Sequence, residues 1–208
     1  MTSINFLHNG PDKGKATILF AHGSGAAMDT DFMNVIAEEL GNLDYSVRRF
    51  EFPFMAERRM TGKKRPPDRA PLLLDFWQSV IKQHSDRPLI IMGKSLGGRM
   101  ASMVADETKV TGVVCLGYPF HPPGKPEKTR TEHLRDLTTP TLIVQGDRDP
   151  FGKPEEVQDY DLASNIDIFW SQDGDHSLVP RKRSGFTQAG NWAIAVQEID
   201  HFIQKVSL

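Results

Sequence analysis

The feature that most restricts this chain is an alternation. Short strand-like runs at residues 17–21, 45–52, 89–92, 110–116, 141–145 and 166–170, most of them nearly continuous in apolar residues, are separated by segments with apolar residues at helical spacing. The helical segments are 31–40, 72–84, 99–107 and 189–206, with shorter pieces at 132–137 and 154–161. Strands that are apolar throughout, rather than at every second residue, belong in a parallel sheet covered on both faces. Thr30 or Asp29 suits the N-cap of the first helix and Gly41 its stop. Pro53 is expected to close a strand, and the basic, proline-bearing stretch 58–69 to be an exposed loop. No repeat or long linker divides the sequence, so residues 1–208 are expected to form one domain.

The run 89–92 leads directly into Gly93-Lys94-Ser95-Leu96-Gly97-Gly98-Arg99. A strand that turns into a helix this abruptly holds its serine in a strained conformation with the hydroxyl exposed. The N–H groups opening that helix favour negative charge beside the serine. Two later strand ends also carry polar residues: Gly146-Asp147-Arg148-Asp149 and Gly174-Asp175-His176. Sites in open parallel sheets form beyond the carboxyl ends of the strands, so residues far apart in the chain are expected to converge there. A serine hydroxyl is a weak nucleophile at neutral pH and needs an imidazole to accept its proton. A buried carboxylate in turn fixes the imidazole tautomer and stabilises the cation formed.

In these segments, with His22-Gly23-Ser24-Gly25 and Phe52-Pro53-Phe54-Met55, the chain resembles the α/β-hydrolase superfamily. Within it, the similarity is to the small, dienelactone-hydrolase-like bacterial branch, and it runs from about residue 18 to the final helix. The resemblance implies an α/β class, three-layer α/β-hydrolase fold, with a mostly parallel sheet of about six or seven strands and helices on both faces. Many relatives insert a helical cap where this chain has room only for a loop and one short helix, between residues 117 and 141. No cap domain and a shallow, open site are therefore expected.

By the same resemblance Ser95 is the nucleophile, His176 the base and Asp149 the acid, with Asp147 in reserve. Asp175 is expected to shape the turn before the histidine. The backbone N–H groups of Leu96 and Ser24 would form the oxyanion hole, with Gly25 as the alternative to Ser24. His22 would be a structural residue of that loop. Lys94, Gly25 and His121 are candidates for contact with substrate. The implied activity is cleavage of an ester or related acyl bond of a small-molecule substrate through an acyl-enzyme, carboxylesterase- or thioesterase-like. Dienelactone hydrolases use cysteine where this chain has Ser95, so their particular reaction is not implied. Relatives with a Gly-Lys/Arg-Ser-x-Gly-Gly-Arg elbow include eukaryotic chromatin-complex subunits. A binding or scaffold protein on the same fold is therefore the competing expectation.

Composition excludes several other classes. A net charge of −2 gives no general attraction to nucleic acid or anionic membrane. The basic stretches 58–69 and 181–183 could rim an anion site, but a solvated loop is the simpler expectation, and no aromatic residues interleave them as nucleic-acid binding would want. Cys115 is the only cysteine and lies in an apolar run, so it reads as a small buried hydrophobe. No cluster of His, Cys or carboxylates suits a metal, and no cofactor is expected. Residues 1–14 lack the pattern of a signal peptide, and no apolar run reaches the ~18 residues of a membrane span, so a cytoplasmic location is expected.

Overall fold

The computed structural model describes residues 4–84 and 88–207. In chain order the elements are β1 (Phe6–Asn9), β2 (Thr17–Ala21), α1 (Asp31–Asn42), β3 (Ser46–Phe50), α2 (Pro53–Thr61), α3 (Ala70–Lys82) and β4 (Leu89–Lys94). They continue with α4 (Leu96–Thr108), β5 (Gly112–Leu116), β6 (Thr141–Gly146), α5 (Pro154–Val157), β7 (Ile166–Ser171) and α6 (Gln188–Val206). The strands form one sheet in the order β1-β3-β2-β4-β5-β6-β7, parallel except for the antiparallel pairing of β1 with β3.

Central strands β2, β5 and β6 are buried at every position. Their side chains alternate between the faces. Leu19, Ile91, Val113 and Ile143 pack with Trp77 of α3 and Met100 and Val104 of α4. Ile18, Phe20, Ile90, Met92, Val114 and Val144 pack with Ile36 and Leu40 of α1 and Trp192 and Ile199 of α6. Helices thus cover both faces, as the fully apolar strands required. The edge strand β7 is only partly buried, with Asp167 exposed.

Two elements depart from the sequence reading. Strand β1, four residues at the sheet edge, was too short and too polar to register as an apolar run. Residues 53–61 form α2, whose second half, 58–61, lies in the stretch 58–69 expected as a loop. Pro53 ends the preceding strand and also opens this helix, since a proline at the first helical position gives up only an N–H that has no intrahelical acceptor. Gly62, in the left-handed conformation, closes it. Helix α1 is capped by Thr30, whose hydroxyl accepts from Met33 N at 3.5 Å, and it runs just past Gly41.

Strand order reverses beside β2, which has β3 on one side and β4 on the other. The carboxyl ends of β2 and β4 border the crevice of such a sheet, where ligands bind. His22-Gly23-Ser24 leaves one and Ser95 the other. Among the described residues no cap covers this crevice.

Candidate active site

Ser95 stands between β4 and α4 with φ 50° and ψ −113°, a region that non-glycine residues seldom occupy. The strain is held from both sides. Ser95 N donates to Leu116 O at 3.0 Å, and its carbonyl accepts from Arg99 N at 3.0 Å. The turn closes so tightly that a Cβ on Gly93 would lie 2.1 Å from Gly97 C, and one on Gly97 would lie 2.6 Å from His22 O. Both positions therefore exclude any side chain.

Beyond β6 the chain turns to bring Asp149 inward, fully buried. Its Oδ2 accepts from His176 Nδ1 at 2.7 Å and from Gln145 Nε2 at 3.0 Å, and its Oδ1 from Phe151 N at 2.9 Å. Because the carboxylate can only accept, the imidazole proton resides on Nδ1. Nε2 is then free to accept from Ser95 Oγ, 2.9 Å away. The ring of Phe151 lies 4.4 Å from the His176 ring, centroid to centroid, and braces it. The histidine loop is itself anchored by Arg148, which donates to Asp173 O at 2.9 Å and Val179 O at 3.2 Å.

The neighbouring carboxylates are engaged elsewhere. Asp147 accepts from Asp173 N at 2.9 Å through Oδ2, while its Oδ1 is buried without a partner among the described residues. Asp175 Oδ1 accepts from Ser177 N and Val179 N at 2.8 and 3.0 Å, so it shapes the turn as the sequence reading expected.

A cavity of about 380 Å³ opens over Ser95. Its wall includes Ser24 and Gly25 from the loop after β2, Lys94, Phe32 from α1, and Phe151 and His176 from the opposite side. Leu96 occupies the first position of α4, so its N–H has no acceptor one turn back within the helix. His22 is fully buried beneath the loop; its Nε2 accepts from Phe52 N at 3.0 Å, leaving Nδ1–H to donate to Gly23 O at 2.6 Å. Burial lowers its pKa and keeps it neutral, consistent with holding the loop to the end of β3.

One candidate is corrected. His121 was expected to face substrate, yet it is buried and takes no part in the cavity wall. Its Nδ1 pairs with Pro122 O at 2.9 Å and its Nε2 with Glu156 Oε2 at 3.2 Å, because the chain after β5 folds toward α5 instead of over the site. In the basic stretches three arginines are held by local carboxylates. Arg59 pairs with Asp29 and Glu51, Arg65 with Glu57 and Asp68, and Arg181 with Asp173. Gln145 and Phe151 were missed. A lone amide at the end of an otherwise apolar strand was the available signal for Gln145.

A family profile described as the alpha/beta hydrolase domain matches residues 14–204, nearly the whole chain. The chain belongs to the alpha/beta hydrolase domain family. Solved structures agree on the fold of this family member. A serine hydrolase without a lid from Xanthomonas campestris is similar over 99% of this chain and 95% of its own, with 18% identity and a TM-score of 0.69. A dienelactone hydrolase from Anabaena variabilis matches over 98% and 97%, at 18% identity and a TM-score of 0.69. An esterase from Pyrococcus furiosus matches over 98% and 90%, at 15% identity and a TM-score of 0.69. Burial raises the pKa of Cys115, the one cysteine, well above the thiol range. Among the described residues no His, Cys, Asp and Glu group could hold a metal, and no helix is long and apolar enough to cross a membrane.

Proposed function

We propose that this family member is a serine hydrolase that cleaves an ester or related acyl bond of a small substrate through an acyl-enzyme on Ser95. The observation that carries the reading is the unbroken hydrogen-bonded series Asp149–His176–Ser95, at 2.7 and 2.9 Å, opening into a cavity. In the first step His176 Nε2 takes the hydroxyl proton as Ser95 Oγ attacks the acyl carbon. Backbone N–H groups of Leu96 and Ser24, with Gly25 as the alternative, stabilise the tetrahedral oxyanion. Collapse breaks the bond to the leaving group, which receives the proton from His176. Water, deprotonated by the same imidazole, then attacks the acyl-enzyme and releases the acid with Ser95 restored. The cavity, of about 380 Å³ and without a cap, suits a small substrate. Carboxylesters and thioesters are both within this chemistry.

The test is covalent labelling by a fluorophosphonate probe. The wild-type protein should label stoichiometrically and Ser95→Ala should not. A folded wild-type protein that fails to react would refute the reading and leave the scaffold role on the same fold.

A further inference from the structure

Charge around the cavity is unevenly matched. Arg58 donates to Gly25 O at 3.2 Å, Arg59 is held by Asp29 and Glu51, and Arg181 and Arg148 share Asp173. Lys94, adjacent to the nucleophile and part of the cavity wall, has no such partner. Among the described residues its Nζ makes no hydrogen bond and no ion pair, although an ammonium carries three donors. Nζ lies 5.9 Å from the centre of the Phe32 ring, another wall residue. Nζ and His176 Nδ1 lie 3.0 and 3.2 Å from one point, the place a Cβ on Gly117 would occupy. The cation therefore lies no more than 6.2 Å from the imidazole nitrogen that faces Asp149. The two carboxylates that attract it, Asp149 and Asp175, already accept from His176, Gln145 and Phe151 and from Ser177 and Val179 respectively. An ammonium removed from bulk water without an acceptor is costly, and a ligand anion in the cavity would supply one.

Resting on the hydrolase reading above, we propose that Lys94 is the specificity residue of this site: its ammonium binds a free carboxylate on the acyl part of the substrate, so acidic esters, such as half-esters of short dicarboxylic acids, are preferred. A carboxylate suits the site better than a phosphate. One ammonium without a guanidinium fork matches a single negative charge, and Asp149 and Asp175 nearby oppose a second. Ala26, Ala27, Phe32, Met33 and Phe151 in the wall suit a short hydrocarbon link between that carboxylate and the ester. Burial pushes Lys94 down to about 8, against the pull of Asp149 and Asp175, so it is cationic at neutral pH and discharges just above it.

The experiment compares monoethyl succinate with ethyl butyrate, nearly equal in size, by pH-stat hydrolysis at pH 7. In the wild-type enzyme kcat/KM should favour the acidic ester. In Lys94→Met, which keeps the unbranched chain out to Cε and removes the ammonium, the ratio of the two kcat/KM values should fall roughly 10- to 100-fold, the range for a hydrogen bond to a charged group. The wild-type ratio should also fall as pH rises through about 8, whereas a role in packing would leave it flat. His176, Asp149 and Asp175 face the ammonium and act on both esters alike, so a change in the ratio reports on Lys94. Binding separates this inference from the hydrolase reading. Monoethyl succinate should bind the Ser95→Ala protein, measured by NMR titration, at least tenfold more tightly than the same protein carrying Lys94→Met. Equal binding, or an unchanged ratio with both esters slowed alike, would overturn the assignment. Absent fluorophosphonate labelling with intact Lys94-dependent binding would instead refute only the catalytic step.

Discussion

Asp149→Asn replaces one oxygen by an NH2 group and leaves shape almost unchanged, so its effect follows from hydrogen-bond polarity alone. The carboxylate accepts three hydrogen bonds, from His176, Gln145 and Phe151. An amide offers one oxygen. If that oxygen keeps the Phe151 N–H, the new NH2 faces both the Gln145 amide nitrogen and the His176 Nδ1 proton. Gln145 cannot turn over to help. Its Oε1 accepts from Tyr118 N at 2.7 Å, while its Nε2 also donates to Tyr118 O at 3.2 Å and Gly152 O at 3.3 Å. The imidazole can adapt only by moving its proton to Nε2, which then presents an N–H to Ser95 and no longer a base. If the amide flips, the part-buried Phe151 N–H loses its acceptor instead.

The cost to folding is one or two mismatched buried donors, about 1–3 kcal/mol. The cost to catalysis is far larger, since the wrong tautomer in such a triad lowers kcat by about 10⁴, or ~5.5 kcal/mol of barrier. Hydrolysis of 4-nitrophenyl acetate and the rate of fluorophosphonate labelling measure the second effect, and urea denaturation the first. Asp147→Asn serves as the comparator and should stay within a few-fold of wild type, because Asp147 holds only Asp173 N. An Asp149→Asn protein within tenfold of wild-type activity would refute the reasoning, as would an Asp147→Asn protein that loses as much.

Ser95→Gly should abolish labelling yet raise the midpoint of urea denaturation, because glycine adopts φ 50° without the strain that Ser95 carries. The gain expected is ~1 kcal/mol, the strain relieved less the added flexibility of the unfolded chain. His133 predicts a pH dependence of stability. Burial, with Arg99 nearby, pushes its pKa down to about 4, so between about pH 6.5 and 4 the unfolded chain binds the extra proton. Stability gained from this group is therefore complete above pH 6.5 and falls on acidification, by at most ~1.4 kcal/mol per pH unit. Thermal melts at pH 7 and pH 5 should separate by less in His133→Gln, which can still donate to Ser102.

The interior of the sheet was legible because parallel strands leave a strong mark: 17–21, 89–92 and 141–145 are apolar but for Thr17, Thr141 and Gln145, and became β2, β4 and β6 with ends shifted by at most two residues. The places of Ser95, Asp149 and His176 were legible for a related reason, since polar residues directly after such runs must lie at the carboxyl ends of strands. Legibility failed where the physics is weaker or ambiguous. Strand β1 is an edge with two apolar residues in four, which no period can distinguish from a loop. Proline 53 served two roles at once, ending a strand and starting a helix, and only one was read. The direction of the chain after Gly117 was not readable, because it depends on one residue with φ 66° and on distant partners, and the expectation for His121 failed with it.

That direction also decides how the site meets its substrate. After β5, Tyr118 is fixed to Gln145 through its backbone, and its hydroxyl donates to Arg130 O at 2.9 Å. Ser102 of α4 donates its hydroxyl proton to Arg99 O at 2.8 Å, so it accepts the Nε2 proton of His133 at 2.9 Å. Thr138 and Thr139 N–H groups are held by Asp106 of α4 at 3.0 and 2.8 Å. These bonds draw residues 118–139 down against α4, and none of them reaches the cavity wall. With no lid to select substrates, discrimination falls to the wall itself. There Lys94 is the only lysine or arginine, so under the reading proposed above an open crevice leaves its ammonium as the one fixed positive charge in the wall that can select what binds.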